Sequence, residues 1–139
     1  MKSPLIINLF GGPGTGKSTI ASGIFCLLKL HGVNTEYVTE FPKDLTWEES
    51  YKTLLDQYYI TTSQHHRVWR LIGKVDIIVT DAPFLLGLVY EETNNYFKQS
   101  VLKIFNNYNN INYLLNGDVK YMESGRNQTK QEAQEIDEK

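Results

Sequence analysis

Short apolar runs alternate along the chain with longer segments whose apolar residues recur every three or four positions. Residues 5–10 form a short and mainly apolar run that stops at two glycines, which predicts a buried strand. From Lys17 onward the spacing becomes helical, and a glycine after the last turn predicts an end at His31 and Gly32. The apolar face of this helix consists of Ile20, Ile24, Leu27 and Leu28.

The next part of the chain continues this alternation. Residues 33–39 indicate a second strand that ends at Glu40, after which a phenylalanine and a proline break the chain. Residues 46–49 form a capping-box pattern, which predicts that a helix starts there. The apolar stripe of this helix continues to Gly73. This span is long for one helix, so a break is expected near 61–63.

The remaining residues predict two more strands. Residues 75–80 indicate a buried strand, 84–104 a helical stretch, and the asparagine-rich segment 106–112 a loop. A last short strand is expected over 111–115, and a second capping box predicts a helix over 129–139. Strands that alternate with helices are typical of a parallel sheet. We therefore predict an α/β fold with three layers, in which helices cover both faces of a parallel sheet.

Composition limits the classes of function. The 139 residues correspond to one domain, 1–139, and 41% of them are hydrophobic, as in an ordinary globular protein. Fourteen basic and sixteen acidic side chains give a net charge of −2, which excludes a nucleic-acid binder that acts through net charge. No apolar stretch approaches the ~20 residues of a membrane-spanning helix. We expect a cytoplasmic protein with neither nucleic acid nor membrane as its partner.

Cys26 is the single cysteine, so an internal disulfide is excluded and a reducing cytosol fits. Its place on the first predicted helix suggests a small core residue. The chain stops at Lys139 inside a predicted helix, which suggests a longer protein that was truncated or is only partly ordered. The sequence leaves open whether the chain forms a homo-oligomer.

The segment between the first strand and the first helix matches G-x-x-x-x-G-K-[ST] at every fixed position. Glycines let backbone amides point at a bound anion, and the helix N-terminus adds partial positive charge. In this pattern Lys17 reaches the β- and γ-phosphates, Ser18 ligates Mg²⁺ and Thr19 meets the α-phosphate. We predict that a nucleoside triphosphate is bound by Gly11, Gly12, Pro13, Gly14, Thr15, Gly16, Lys17, Ser18 and Thr19.

Asp81 ends the strand over 75–80, where a Walker-B carboxylate holds Mg²⁺ directly or through water. The alternative is a helix N-cap, since a helical stretch follows. Residue 82 is alanine, whereas hydrolytic ATPases usually carry a water-activating glutamate at that place. The D-x-x-G and N-K-x-D motifs of a GTPase are also absent from the sequence. Transfer to a bound acceptor is therefore favoured over hydrolysis.

Candidate acceptor residues lie elsewhere along the chain. Glu40 can take a proton from an acceptor hydroxyl or anchor a sugar hydroxyl, and the alternative is a solvated glutamate. Gln64 and Arg67 share a helix face and can contact a base or phosphate of the acceptor, or else belong to a solvated surface. Arg126 lies in the polar segment 116–130, which is either an exposed loop or a lid whose arginine stabilises the transferring phosphoryl group.

Four segments together resemble a known family. They read Ile-Asn-Leu-Phe-Gly-Gly-Pro-Gly-Thr-Gly-Lys-Ser-Thr, Val-Thr-Glu40, Asp-Ile-Ile-Val-Thr-Asp81-Ala-Pro and Gly-Arg126-Asn-Gln-Thr. This set is similar to the small AAA-type ATP-binding proteins common in bacteriophages, which resemble the nicotinamide-riboside kinase domain and, more distantly, nucleoside and nucleotide kinases. The resemblance implies a P-loop kinase-like fold, ATP on residues 12–19, Mg²⁺ at Asp81 and a base at Glu40.

The resemblance leaves the acceptor unnamed. The chain lacks the aspartate–arginine motif of many deoxynucleoside kinases, and it lacks the further strand and helix with which the family continues. We expect a phosphotransferase that moves the γ-phosphoryl group of Mg·ATP to a small nucleoside, nucleotide or riboside. The catalytic residues would be Lys17, Glu40, Asp81 and Arg126. The alternatives are an ATPase and a nucleotide-sensing module without an acceptor.

Overall fold

The structure is a computed structural model that describes residues 3–12, 14–86 and 95–116. The strands in these ranges are β1 (Leu5–Phe10), β2 (Thr35–Val38), β3 (Ile77–Thr80) and β4 (Asn109–Leu114). The helices are α1 (Lys17–Leu30), α2 (Phe41–Trp47), α3 (Gln57–Trp69) and α4 (Asn95–Asn106). Short 3₁₀ turns cover Thr53–Leu55 and Phe84–Leu86. Strands and helical segments therefore alternate, as the sequence predicts.

The described strands form one parallel sheet in the order β2-β3-β1-β4. Parallel neighbours cannot be joined by a tight hairpin, and the helices between them provide the crossovers. Strand β3 lies between β2 and β1, so the residues that follow these three strands lie at one edge of the sheet. In an open sheet of this kind ligands bind outside the carboxyl ends of the strands.

Side chains of the sheet alternate between two helical layers. Val79 shares a buried cluster with Ala21 of α1 on one face. Ile6 and Ile78 share another cluster with Val68 of α3 on the opposite face. Helices thus cover both faces of the parallel sheet, and the predicted three-layer α/β class is confirmed.

The helical region between β2 and β3 starts earlier than predicted. Helix α2 begins at Phe41, directly after β2, with Pro42 in its first turn. Proline is well tolerated there because the first turn has no acceptor for its missing amide. The prediction of a helix start at 46–49 is wrong, since these residues end α2 and Glu49 has a φ of 58°.

Helix α3 is a separate and continuous element. Its N-cap is Asp56, whose Oδ1 accepts a hydrogen bond from the Tyr59 amide at 3.1 Å. The break between α2 and α3 therefore lies before Asp56, and the break expected near 61–63 does not occur. A side chain that caps the helix end satisfies amides that otherwise lack an acceptor, and it fixes where α3 begins.

The segment 106–112 was expected to be a loop, but it ends α4 and supplies the first half of β4. Asn8 of β1 is buried, and its Nδ2 donates to Oδ1 of Asn110 at 2.9 Å and of Asn112 at 3.0 Å. These bonds satisfy side chains that favour turns when they lack such partners. The strand predicted over 111–115 therefore begins two residues earlier.

The outer side of α1 differs from the expected pattern. Ile24 and Leu28 pack against the sheet, whereas Leu27 is 59% exposed and Ile20 is also exposed. Cys26 is exposed, so its predicted place in the core is wrong. At about 3.6 residues per turn Cys26 lies on the far side of the helix from the sheet-facing residues.

Two further expectations concern the C-terminal half of the chain. The stretch 84–104 contains the 3₁₀ turn at its start and most of α4, while its middle lies outside the described residues. The helix predicted over 129–139 also lies outside them. Among the residues that the structure describes, no helix has the length and apolar content needed to cross a membrane.

Candidate functional site

Three connections at the carboxyl edge of the sheet carry the predicted chemistry. Gly11 follows β1, Asp81 follows β3, and Glu40 lies two residues beyond β2. The register pairs both Val38 and Asn8 with Thr80, so β2 and β3 end at the same level and β1 continues for two more residues to Phe10. The fold thus brings together three segments that are far apart in sequence.

The glycines of the phosphate loop adopt backbone conformations that other residues avoid. Gly11, Gly14 and Gly16 have φ angles of 147°, 82° and 93°. Such positive values place a side chain against the backbone, and only glycine adopts them without strain. Gly16 is also the N-cap of α1 and offers no side chain to its first turn, so no side-chain oxygen there competes with an anion.

The loop is closed by Thr15. Its hydroxyl donates to the carbonyl of Gly12 at 2.9 Å, and its amide contacts the same carbonyl at 3.3 Å. A β-carbon on Gly11 would lie only 2.6 Å from the Thr15 hydroxyl oxygen. Thr15 therefore shapes the loop with its side chain, and Gly11 must remain a glycine for the two to fit.

Lys17 opens α1, and its ammonium lies inside the loop. Its Nζ donates to the carbonyl of Gly11 at 2.5 Å, at the base of the loop. The same ammonium interacts electrostatically with Asp81. Ser18 is half-buried and Thr19 is exposed at the start of the helix. The positive charge predicted to meet phosphates therefore lies between the loop and the end of β3.

Asp81 is 5% exposed, and its two oxygens differ. Oδ2 accepts a hydrogen bond from the Tyr37 hydroxyl at 2.7 Å, whereas Oδ1 is buried without a hydrogen-bond partner in the described structure. Burial raises the pKa of this carboxyl above its usual range, while the Tyr37 hydrogen bond and Lys17 act in the opposite direction. An N-cap would use an oxygen on a helix amide, and Oδ1 accepts no such bond.

The oxygen atoms of Asp81 and Ser18 suit the hard cation that accompanies a nucleotide. Mg²⁺ is bound in proteins through one or two carboxylates together with phosphate oxygens and waters. A buried carboxylate oxygen without a donor is costly unless a cation or water meets it. Asp81 Oδ1 and the Ser18 hydroxyl are oxygen ligands of the required type. Among the described residues no group of three or more His, Cys, Asp or Glu side chains forms a metal site.

Glu40 lies in a connection that is fixed from α3. The Gln64 side chain donates from Nε2 to the Thr39 carbonyl at 2.9 Å and accepts from the Phe41 amide at 2.8 Å. These bonds bracket Glu40, which is half-buried and is the N-cap residue of α2. Gln64 is 3% exposed, so the alternative of a solvated surface residue is excluded for it.

Arg67 reaches the same connection from the next turn of α3. Its guanidinium pairs with Asp44 of α2 and contacts the carbonyl and hydroxyl of Thr39 at 3.3 and 3.2 Å. It also lies over the ring of Phe41, 5.0 Å from the centroid. Arg67 and Phe41 line an open groove together with Tyr59 and Arg70. The contact of Gln64 and Arg67 with an acceptor remains a prediction.

The sequence analysis missed one residue of this site, Tyr37, and it missed the role of another, Gln64. Tyr37 was read only as part of a strand, and the bracketing role of Gln64 was not foreseen. A signal for Tyr37 exists in the alternation of β2, because position 37 falls on the face that α1 covers. No comparable signal marks Gln64, since its partners are backbone groups of another segment.

Other predicted residues lie outside the described structure. Pro13 of the phosphate loop and Arg126 are among them, as is the segment 116–130 beyond Asn116. The lid over 116–130 therefore remains a prediction from the sequence.

No protein-family model matches the chain, and no curated protein matches it. Among solved structures, the chain is similar to deoxyadenosine kinase from M. mycoides with bound dATP, with a TM-score of 0.42 and 17% sequence identity. The similarity covers 73% of this chain and 56% of that kinase, so the chain spans little more than half of its length.

Proposed function

We propose that this chain binds Mg·ATP at the phosphate loop and transfers the γ-phosphoryl group to a small nucleoside, nucleotide or riboside. The observation that supports this most strongly is the buried Asp81 carboxylate, whose Oδ1 lacks a hydrogen-bond partner and which interacts electrostatically with the ammonium of Lys17. A carboxylate oxygen and a cation next to a glycine loop are what a bound metal–nucleotide complex requires.

Each residue of the loop has a separate part in this proposal. Backbone amides of the phosphate loop other than Pro13, which has no N–H, would hold the phosphates together with the N-terminus of α1. The Lys17 ammonium moves from the Gly11 carbonyl to the β- and γ-phosphate oxygens, and the Ser18 hydroxyl with Asp81 Oδ1 holds the metal. When bound, Mg²⁺ would neutralise charge that develops on the transferring group.

Glu40 supplies the base at the acceptor. Its carboxylate takes the proton of the acceptor hydroxyl as that oxygen forms its bond to the γ-phosphorus. The bond from the γ-phosphorus to the bridging oxygen breaks, and ADP leaves with that oxygen. Because Gln64 holds the backbone on both sides of Glu40, the carboxylate is positioned by the fold. Arg126 would close over the phosphates, as its sequence context suggests.

A second candidate is a slow ATPase or a nucleotide-sensing module. Transfer to an acceptor is favoured over hydrolysis because Ala82 follows Asp81, at the place where hydrolytic enzymes carry a glutamate. Ala82 is buried and its amide donates to the Thr80 hydroxyl, so no side chain at that position activates water.

Phosphorus NMR of Mg·ATP with the protein and a panel of nucleosides, nucleoside monophosphates and nicotinamide riboside separates the candidates. We expect ADP together with a new ester or, from a monophosphate, a new anhydride, and mass spectrometry should show that the product exceeds one acceptor by one phosphoryl group. Free phosphate in place of an ester would indicate an ATPase. ATP binding without turnover, by the full chain and with every acceptor, would favour the sensing module.

A further inference from the structure

Tyr37 joins β2 to the end of β3 through its side chain. The register pairs Tyr37 with Val79, and Asp81 lies two positions further along on the same face of the sheet. Two residues of a parallel strand span about 6.6 Å, a distance that a tyrosine leaning along the strand can cross. Its hydroxyl accordingly reaches Oδ2 of Asp81 at 2.7 Å.

The ring of Tyr37 is fixed by α1, the helix that the phosphate loop opens. It packs against Phe25 with ring centroids 6.1 Å apart and planes inclined by 58°. Ser22, on the same helix, acts on the pKa of the phenol, and its Oγ donates to the Ser18 carbonyl at 2.7 Å. A shift of the phosphate-loop helix would therefore move the group that holds the Asp81 carboxylate.

We infer that Tyr37 is a positioning residue, whose hydroxyl occupies Oδ2 of Asp81 so that Oδ1 is kept for the cation of the nucleotide. This inference rests on the proposed function. A phenol offers one donor and therefore ties up one oxygen of the carboxylate. The other oxygen stays buried and without a donor, as the structure has it.

A purely structural role for Tyr37 leads to a different expectation. The ring fills space between α1 and the sheet, and phenylalanine would fill it equally well. The hydroxyl is needed only if the orientation of Asp81 matters for metal binding. Removal of an outer-shell partner of a metal ligand typically weakens metal binding by about 10- to 100-fold.

The test compares ATP affinity in Mg²⁺ and in EDTA by titration calorimetry of the full chain. The variants are Tyr37→Phe, Asp81→Ala and the double variant. Tyr108→Phe is the matched control, because Tyr108 is also half-buried and its hydroxyl bonds to a side chain, His65 at 2.7 Å, away from this site. Thermal melting of each variant reports whether the fold is retained.

We expect Tyr37→Phe to reduce the gain in affinity from Mg²⁺ by about tenfold, the low end of that range, with the affinity in EDTA unchanged. The double variant should match Asp81→Ala, since Tyr37 acts through Asp81, and Tyr108→Phe should match the wild type. Affinities of Tyr37→Phe equal to wild type in both conditions would overturn the inference. So would an equal loss in both conditions, or a further loss in the double variant.

Measurements on the wild type and on Asp81→Ala separate a failure of this inference from a failure of the proposed function. If ATP affinity is the same with and without Mg²⁺, and the same in Asp81→Ala as in wild type, then Asp81 does not hold the metal and the inference about Tyr37 is also wrong. If the affinity depends on both while Tyr37→Phe has no effect, only the role of Tyr37 is overturned.

Discussion

Gln64 holds Glu40 without touching its side chain in any described hydrogen bond. The amide group of Gln64 bonds to the Thr39 carbonyl at 2.9 Å and to the Phe41 amide at 2.8 Å, on the two sides of Glu40. A buried amide that uses both its donor and its acceptor on one connection restricts the backbone between them. The fold thus fixes the backbone of the residue that we propose as the base.

Replacement of Gln64 by leucine tests this restriction. The variant keeps much of the side-chain volume but leaves the Phe41 amide without its partner, and we expect a loss of about 1–3 kcal/mol in the free energy of unfolding. Turnover should fall while Mg·ATP affinity stays as in wild type, because the phosphate loop is not involved. Denaturant titration and calorimetry measure these two quantities.

The control for this variant is Gln57→Leu on the same helix, whose Nε2 donates to the Leu54 carbonyl at 3.0 Å. It should leave turnover unchanged. A Gln64→Leu protein with wild-type stability and only a raised KM for the acceptor would contradict the positioning role. That result would favour the direct contact with the acceptor that the sequence suggested.

Asp81 should make stability depend on pH in an unusual direction. Burial raises the pKa of its carboxyl in the folded state above the ordinary value of 3.8, so the folded protein binds a proton that the unfolded chain has released. The contribution of Asp81 to stability is therefore fully present only below the ordinary pKa of 3.8, and it is lost as the pH rises through the folded pKa.

Denaturant titrations in EDTA between pH 4 and 8, on wild type and Asp81→Asn, measure this effect. Relative to the variant, wild type should gain stability as the pH falls through the folded pKa. A difference between the two proteins that is constant over this range would show that Asp81 is not perturbed. The charge of Lys17 lowers the pKa of Asp81 in the folded state. Lys17→Ala should therefore raise this pKa further and move the transition to higher pH.

Arg67 is expected to contribute little to stability through its ion pair. Its partner Asp44 is half exposed, and exposed pairs of this kind contribute about 0–1 kcal/mol. Asp44→Asn should therefore lower the free energy of unfolding by at most about 1 kcal/mol, with ATP affinity unchanged. Arg67→Gln, which also removes the contacts with Thr39, should cost more. Equal losses in the two variants, seen by denaturant titration, would mean that the Thr39 contacts contribute nothing.

Asn8 should be necessary for the pairing of β4. Asn8→Ala leaves the Oδ1 atoms of Asn110 and Asn112 without their shared donor, and we expect a loss of about 1–3 kcal/mol. Hydrogen exchange should then increase in β4 more than in β3. The exposed Asn106→Ala serves as control. Unchanged exchange in β4 of the Asn8 variant would contradict this account.

The sequence predicts the parts of this protein that depend on local pattern. The bounds of β1 and α1 follow from a change in hydrophobic period and from the glycines at their ends, and the structure matches them within one or two residues. The phosphate loop follows from its motif in the same way. Asp81 and Glu40 are placed at the carboxyl edge because strands end there.

Contacts between distant segments are not visible in this way. The asparagines of β4 look like a loop until Asn8 is placed beside them, and Gln64 looks like a surface residue until its backbone partners are known. Tyr37 meets Asp81 only through the pairing of β2 with β3. The start of α2 was missed for a local reason, since Pro42 signals a helix start as readily as a break.

Calorimetric titration of Mg·ATP into the full chain shows whether Lys17 and its loop form a site for a metal–nucleotide complex. The account predicts saturable binding to wild type and to Lys74→Ala, whose side chain is exposed away from the loop. Lys17→Ala should bind at least about tenfold more weakly, because it loses a charged contact with the phosphates worth 1.5–3 kcal/mol in typical cases. Equal Mg·ATP affinity of Lys17→Ala and wild type, with both proteins folded, would contradict the account.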